Sequence, residues 1–227
     1  MHLTVRDAAK LLRTPEKQIY NWIEEGELPC YWVSDQARFN RTELLEWATA
    51  RRIPVSVELF KDAEDADKLP SLGHALRAGG IHYGVAGGNR EEVLRAVVGL
   101  MKLPGDLDRE TLLEVLLARE AAGSTAVGDG IAIPHVRRPV AFNEAVASVD
   151  LCFLAQPVEY GAVDGKPIHT LFTIVSPTIH VHLQLLAKLA TALHDPGFKA
   201  AVLRRAPADE ILRELGRVEE SFPPDAH

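Results

Sequence analysis

Cysteine is scarce in this chain: Cys30 and Cys152 are the only two among 227 residues, far apart and without metal-ligand spacing. That excludes a disulfide framework and a cysteine zinc site, and both are read as packed thiols. Long apolar runs are missing too. None reaches the roughly 18 residues that a membrane-spanning helix needs, and the start MHLTVRDAAK has no secretory apolar region. The expectation is a soluble, cytoplasmic protein with no membrane insertion. Basic charge is not in excess either, with Lys+Arg 25 against Asp+Glu 32 and a net charge of -7. Residues 1–52 hold eight of each sign, so the whole deficit lies beyond residue 52 and a global basic footprint for nucleic acid is absent. Internal repeats and low-complexity tracts are absent as well. What remains, 47% hydrophobic and 25% charged residues, is the composition of a folded globular protein of one long or two shorter domains.

The segment IPVSVELFKDAEDADK, residues 53–68, starts weakly apolar and ends acidic without a clear period, which reads as a linker between separately folding parts. The expected organisation is therefore a first domain over 1–52, a linker over 53–68 and a second domain over 69–220. In the first, Thr4 caps a helix with Val5, Ala8, Ala9 and Leu12 on one face and Asp7 at the capping-box position. Thr14 and Pro15 supply a cap and a first-turn proline for a second helix burying Ile19, Trp22 and Ile23, which Gly26 ends. CYWV and ARF flank Ser34-Asp35-Gln36 as a hairpin, and Asn40 with Glu43 caps a third helix carrying Leu44, Leu45 and Trp47. The second part interleaves helices near 71–78, 90–102, 107–121, 178–194, 196–204 and 207–218 with strands at IHYGV, 144–154 and 168–175. That alternation predicts an α/β sandwich with a mixed sheet.

The order helix, tight turn, helix, hairpin, helix can lay the outer side of its second helix in a major groove, and that side offers Lys17, Gln18, Tyr20 and Asn21. Arg6, Arg38 and Arg41 stand where cations would meet phosphates. Residues 2–50, through AAKLL, QIYNWIEEGELP and ARFNRTELLEW, resemble the winged helix-turn-helix of the MerR and excisionase families. The resemblance implies duplex DNA binding by the second helix and the wing. Glu16, Glu24, Glu25, Glu27 and Asp35 offset the local positive charge, so useful affinity would call for a homodimer or a bent site. A small docking or dimerising module is the other reading of this composition.

In REAAGSTAVGDGIAIPHVR, residues 119–137, Gly128 and Gly130 permit close backbone approach, Ile131 to Ile133 form a short buried strand, and Pro134 restricts the backbone just before His135. A histidine is thus presented at a strand end, where a neutral imidazole can attack phosphorus without a separate base and give the group up again. On spacing alone a structural histidine is the commoner outcome. GSTAVGDGIAIPH closely resembles the active-site signature of the fructose/mannitol/nitrogen-regulatory class of enzyme IIA (type 2, PtsN-like) in the bacterial phosphotransferase system. The similarity runs from LPSLGHAL through NREEVLRAVVGLM and LLEVLLAREAAGSTA to HLQLLAKLATALHD. It implies that His135 is phosphorylated by the phosphohistidine of an HPr-like carrier, and it places the family's active-site arginine and second histidine at Arg119 and His182.

Helix geometry speaks to the same two residues. Leu112 and Leu116 lead at helical spacing to Arg119, an arginine at the edge of an apolar stripe that needs an anionic partner. Positions 182, 185, 186, 189 and 193 form one stripe, so His182 points with the core, whereas His180 aligns with Gln184, Lys188 and Thr191 and is expected to face water. Glu120 is expected to be a solvated surface charge, and Ser124 and Thr125 either donate to phosphate or terminate the helix. A zinc hydrolase built on His135, His180 and His182 is disfavoured, because residues two apart on a helix diverge by about 200 degrees. No metal and no cofactor is expected. The leading reading is a phosphocarrier fused to a DNA-binding domain, of the nitrogen-regulatory branch. A sugar-specific transport IIA component and a non-catalytic docking regulator are the alternatives.

Overall fold

The computed structural model describes residues 2–33, 35–56, 70–103, 107–136 and 147–222. The first domain comprises β1 (His2–Leu3), α1 (Val5–Leu11), α2 (Glu16–Glu24), β2 (Tyr31–Val33), β3 (Gln36–Asn40) and α3 (Arg41–Ala50). The capping box at Thr4 and Asp7 forms as the sequence predicts. The second helix departs from expectation by one position: Pro15 is its N-cap, without a side-chain cap bond, and Thr14 belongs to the end of α1. There Arg13 turns left-handed at φ 48° and the Thr14 N–H returns to the Ala9 carbonyl at 3.0 Å, so the residue expected to open α2 closes α1. Gly26, at φ 70°, ends α2 as expected. The hairpin forms with Trp32 opposite Ala37, and β1 adds a strand on the other edge of β3 that the sequence reading did not contain. Asn40 caps α3 by accepting from the Thr42 and Glu43 amides.

Of the expected linker, residues 53–56 pack on this domain: Val55 is buried, and the Ser56 amide donates to the Leu11 carbonyl. The rest of the expected linker lies outside the described residues, as do Ser34 and the expected strand's first residues, 144–146.

The second domain contains α4 (Leu72–Ala78), β4 (Gly80–Val85), α5 (Arg90–Leu100), α6 (Arg109–Ala121), β5 (Ala126–Gly128), β6 (Ile131–Ala132), β7 (Ser148–Val158), β8 (Ile168–Val175), α7 (Ile179–Ala192), α8 (Pro196–Leu203) and α9 (Ala208–Glu220). Its sheet has the order β4-β7-β8-β6-β5 and is mixed, with β4 and β7 parallel, β7 and β8 antiparallel, β8 and β6 parallel, and β6 and β5 antiparallel. Side chains alternate along β7 and β8, so Leu151, Phe153, Phe172 and Ile174 face a core built with α4, α7, α8 and α9. Cys152, Leu154, Leu171 and Val175 face a second core built with α5 and α6. Burial pushes the Cys152 thiol up to about 12, which leaves it a packed, inert group. Among the described residues no helix is long and apolar enough to cross a membrane.

The first domain does not stand apart. Leu44, Leu45 and Trp47 of α3 belong to the same continuous apolar core as Leu185, Leu186 and Leu189 of α7. Arg52, just beyond α3, donates from Nε to the Val127 carbonyl at 2.8 Å and pairs with Asp129 at 2.9 Å and Asp164 at 3.3 Å. Gly128 makes room for it: a Cβ there would lie 1.7 Å from the Arg52 guanidinium, so the glycine's close approach serves another side chain of the same chain.

Candidate functional site

His135 sits at the end of the run after β6, bridged in parallel to Ile174 of β8, with its ring 3% exposed as a residue. Pro134, which has no N–H, contributes its carbonyl to the Ile174 amide and so locks this run to the sheet. The His135 Nδ1 lies 2.7 Å from the Ile133 carbonyl oxygen. A carbonyl can only accept, so Nδ1 carries the proton and donates, and Nε2 is the nitrogen turned to the site. The His182 ring, from the first turn of α7, lies 5.1 Å from that of His135, centroid to centroid. His182 is 1% exposed, and neither of its ring nitrogens has a hydrogen-bond partner among the described residues. Arg119, in the last turn of α6, donates from Nη1 to the Gly123 carbonyl at 2.7 Å, which aims the guanidinium out of the helix end.

The three sequence-predicted residues therefore converge, and a fourth that the sequence reading did not single out joins them. Glu46 of α3 accepts from Arg119 Nη2 at 2.9 Å through one carboxylate oxygen and stands 3.2 Å from His135 Nε2 through the other. Its side chain is 7% exposed, that of Arg119 9% and that of His135 4%. The anionic partner that the apolar-edge arginine requires is thus supplied by the first domain. Nothing local marks Glu46 in ELLEWA except that Thr49, one turn on, is also buried. Only the packing of α3 on the second domain exposes its role.

Two expectations are corrected. Glu120 is 3% exposed, not solvated: it accepts from the Thr125 amide at 3.1 Å and from the Thr125 hydroxyl. Burial, opposed by those two hydrogen bonds, holds its carboxyl above the usual carboxylate range. Thr125 is thereby committed to Glu120, and the Ser124 hydroxyl donates to the Tyr160 carbonyl at 3.0 Å and accepts from the Ala126 amide. Both hydroxyls hold the turn after α6 together, in keeping with the helix-terminating alternative that the sequence leaves open for them. On α7, the face expected to meet water is covered: Gln184 is 1% and Lys188 8% exposed, in a helix that packs against α3, α4, α9 and β8. Lys188 reaches the Pro70 carbonyl with its ammonium. Among the described residues no group of three or more His, Cys, Asp and Glu side chains is placed to hold a metal ion.

In the first domain the residues expected to meet DNA differ in exposure. Arg6, Lys17 and Tyr20 are exposed, while Gln18, Asn21, Arg38 and Arg41 are half-buried. Arg38 is partly engaged, donating to the Ala37 carbonyl and to Gln36 Oε1. Trp32, on the wing, is 64% exposed.

His182 gives the site a pH signature. Burial, followed by the nearby His135, pushes its imidazole down to about 3. The unfolded chain takes up that proton near the ordinary histidine value of ~6.5, so between these values the unfolded state binds more protons and stability falls as pH falls. The contribution is intact above about pH 6.5 and is lost below it by up to about 1.4 kcal/mol per pH unit. Thermal unfolding of His182→Leu between about pH 7.5 and 4.5 should show a shallower loss of Tm than the wild type. Parallel curves would mean that His182 does not titrate in this way.

The description "Phosphoenolpyruvate-dependent sugar phosphotransferase system, EIIA 2" belongs to a family whose profile matches residues 75–217, and "Helix-turn-helix domain" to one that matches residues 3–52. The Nitrogen regulatory protein of Pseudomonas aeruginosa is 36% identical over 135 residues, which are 58% of this chain and 84% of that protein. The PTS system fructose-specific EIIABC component of Bacillus subtilis is 33% identical over 129 residues, 54% of this chain but 19% of that larger protein. The crystal structure of Nitrogen Regulatory Protein IIA-Ntr from Neisseria meningitidis superimposes with a TM-score of 0.52 and 27% identity over 66% of this chain and 97% of that one. With that family profile spanning more than half of it, the chain belongs to the EIIA type 2 family of the phosphotransferase system, phosphotransferases that carry their group as a phosphohistidine, here joined to an N-terminal helix-turn-helix domain.

Proposed function

We propose that this protein is a regulatory phosphocarrier that takes a phosphoryl group on Nε2 of His135 from the phosphohistidine of an HPr-like protein and couples that state to DNA binding by its first domain. The observation that carries the reading is the 2.7 Å bond from His135 Nδ1 to the Ile133 carbonyl. It fixes the tautomer and leaves the Nε2 lone pair for attack. As the N–P bond to the donor imidazole breaks, its electron pair stays with the donor nitrogen, and the His135 Nε2 pair forms the new N–P bond. The positive charge that the acceptor ring gains is shared through Nδ1–H with the carbonyl dipole.

Arg119 meets the phosphoryl oxygens, whose charge is spread most widely in transit between two imidazoles, and its planar fork suits that geometry. His182, held neutral by burial, orients the His135 ring and hydrogen-bonds phosphoryl oxygens. Ser124 and Thr125 act one step away, by fixing the turn that carries the helix end bearing Arg119. The nitrogen-regulatory branch is favoured over a sugar-transport subunit because the alignment spans 84% of a free-standing nitrogen regulatory protein and only 19% of the fructose EIIABC component. Incubation with phosphorylated HPr followed by intact mass measurement should show one phosphoryl group per chain, acid-labile and base-stable as phosphoramidates are. A chain that stays unmodified would overturn the assignment.

For the first domain, the outward side chains of α2 and the β2–β3 wing support duplex binding, with Lys17, Gln18, Tyr20 and Asn21 toward bases and Arg6, Arg38 and Arg41 toward phosphates. Its balanced charge predicts few phosphate contacts, hence a shallow salt dependence at a log-log slope of about -0.9 for each, and a homodimer as the form that binds well. In selection from a random duplex library, Asn21→Ala should relax base preference, whereas Arg38→Ala should weaken all sequences alike by removing a phosphate contact. Failure to enrich any sequence would leave the first domain as a protein-docking module.

A further inference from the structure

We propose that the first domain is a gate on the phosphoryl-acceptor site, with Glu46 standing where the incoming phosphoryl group must be placed, so that docking of this domain and phosphoryl acceptance exclude one another. The inference rests on the reading of His135 as acceptor and adds to it a device built from the other domain of the same chain.

The carboxylate of Glu46 spans the two groups that would receive a phosphoryl: one oxygen on Arg119 Nη2 at 2.9 Å, the other 3.2 Å from His135 Nε2. A carboxylate offers an anionic fork of oxygens to an arginine as a phosphoryl group does, and it occupies the line along which phosphorus would approach Nε2. The contact also occupies the nucleophile: with Nδ1 tied to the Ile133 carbonyl, Nε2 is the nitrogen left for phosphorus, and it is the one that the Glu46 carboxylate covers. Burial completes the block, since a donor protein cannot reach a residue that is 3% exposed.

Docking is held from outside the site as well. Arg52 reaches Val127, Asp129 and Asp164, its own carbonyl accepts from or faces His194 Nε2 at 2.8 Å, and α3 shares the apolar core of α7. The closed form is therefore specific in side-chain placement, and opening it separates a buried carboxylate from a buried arginine. Once His135 carries the dianionic group, Glu46 cannot return, because two anions would share one arginine in a site with little water. Phosphorylation thus holds the first domain off the second, which makes the position of the helix-turn-helix a readout of the phosphoryl state.

The test uses the full-length chain as wild type, Glu46→Ala and Arg52→Ala, the second of which loosens docking without touching the acceptor site. Two rates are read: phosphoryl uptake from phosphorylated HPr, and carbethoxylation of His135 by diethyl pyrocarbonate, an imidazole acylation that needs an accessible Nε2 lone pair and no phosphotransferase partner, mapped by peptide mass. Because the apparent rate scales with the fraction of open molecules, Glu46→Ala should raise both by about tenfold or more and Arg52→Ala by several-fold. Equal carbethoxylation rates in wild type and both variants would overturn the gate. Carbethoxylation accelerated in the variants without any phosphoryl uptake would uphold the gate and discard the acceptor reading instead.

Discussion

Replacement of His135 by alanine is expected to bring phosphoryl uptake to nothing, with no second residue taking over. The reason is positional: among the described histidines, His135 alone has one ring nitrogen tied to the Ile133 carbonyl and the other turned toward an arginine-held anion. His182, 5.1 Å away between ring centroids, is not expected to substitute, because no hydrogen bond to a carbonyl fixes one of its ring nitrogens and leaves the other aimed at the arginine. His194 is engaged by the Ala190 and Arg52 carbonyls, and His169 by Thr170. Intact mass after exposure to phosphorylated HPr is the measurement. Uptake by His135→Ala at an undiminished rate would move the acceptor elsewhere. His135→Gln offers a control of similar size that keeps a polar group near Ile133 and should also remain unmodified.

Arg119→Ala should slow transfer by about 10²–10³-fold, the usual cost of removing one preorganised group that meets charge developing in the transition state. Two consequences of the same substitution oppose each other. It removes the guanidinium that stabilises the phosphoryl oxygens, and it removes the anchor of Glu46, which leaves a carboxylate buried beside His135 without its strongest partner. The second effect opens the site and would by itself accelerate uptake. The transition-state loss is expected to prevail, and the double substitution Glu46→Ala with Arg119→Ala should be as slow as Arg119→Ala alone. Arg119→Lys should remain impaired, because a compact ammonium lacks the planar fork that meets two phosphoryl oxygens side by side. Single-turnover rates from phosphorylated HPr decide the matter. Wild-type rates in Arg119→Ala would reduce this residue to an interdomain strut.

The sequence by itself determined most of what depends on neighbours along the chain. The capping box at Thr4, the Asn40 cap, the left-handed Gly26 and the buried Leu stripe of α7 are set by hydrogen bonds and spacings within a few residues, and each stands where the pattern put it. The motif ending at His135 was legible for the same reason, since Pro134 and the glycines before it act on the local backbone. Where a local signal competed with another local signal, as at Thr14, the α1 closure took the residue that α2 was expected to use. Only the tertiary structure decided which polar residues are buried. Glu120, Gln184 and Lys188 carry the sequence marks of surface residues, and burial came to them from elements distant in the chain that pack over their faces. Glu46 is the extreme case. It lies 73 residues before Arg119 and 89 before His135, and its helix buries Leu44, Leu45, Trp47 and Ala48 at adjoining positions, a run that does not report which side meets the other domain. A one-dimensional period can say that a helix has a second face, but the carboxylate's partners are fixed by the docking of two separately patterned domains, and that contact has no period in the sequence.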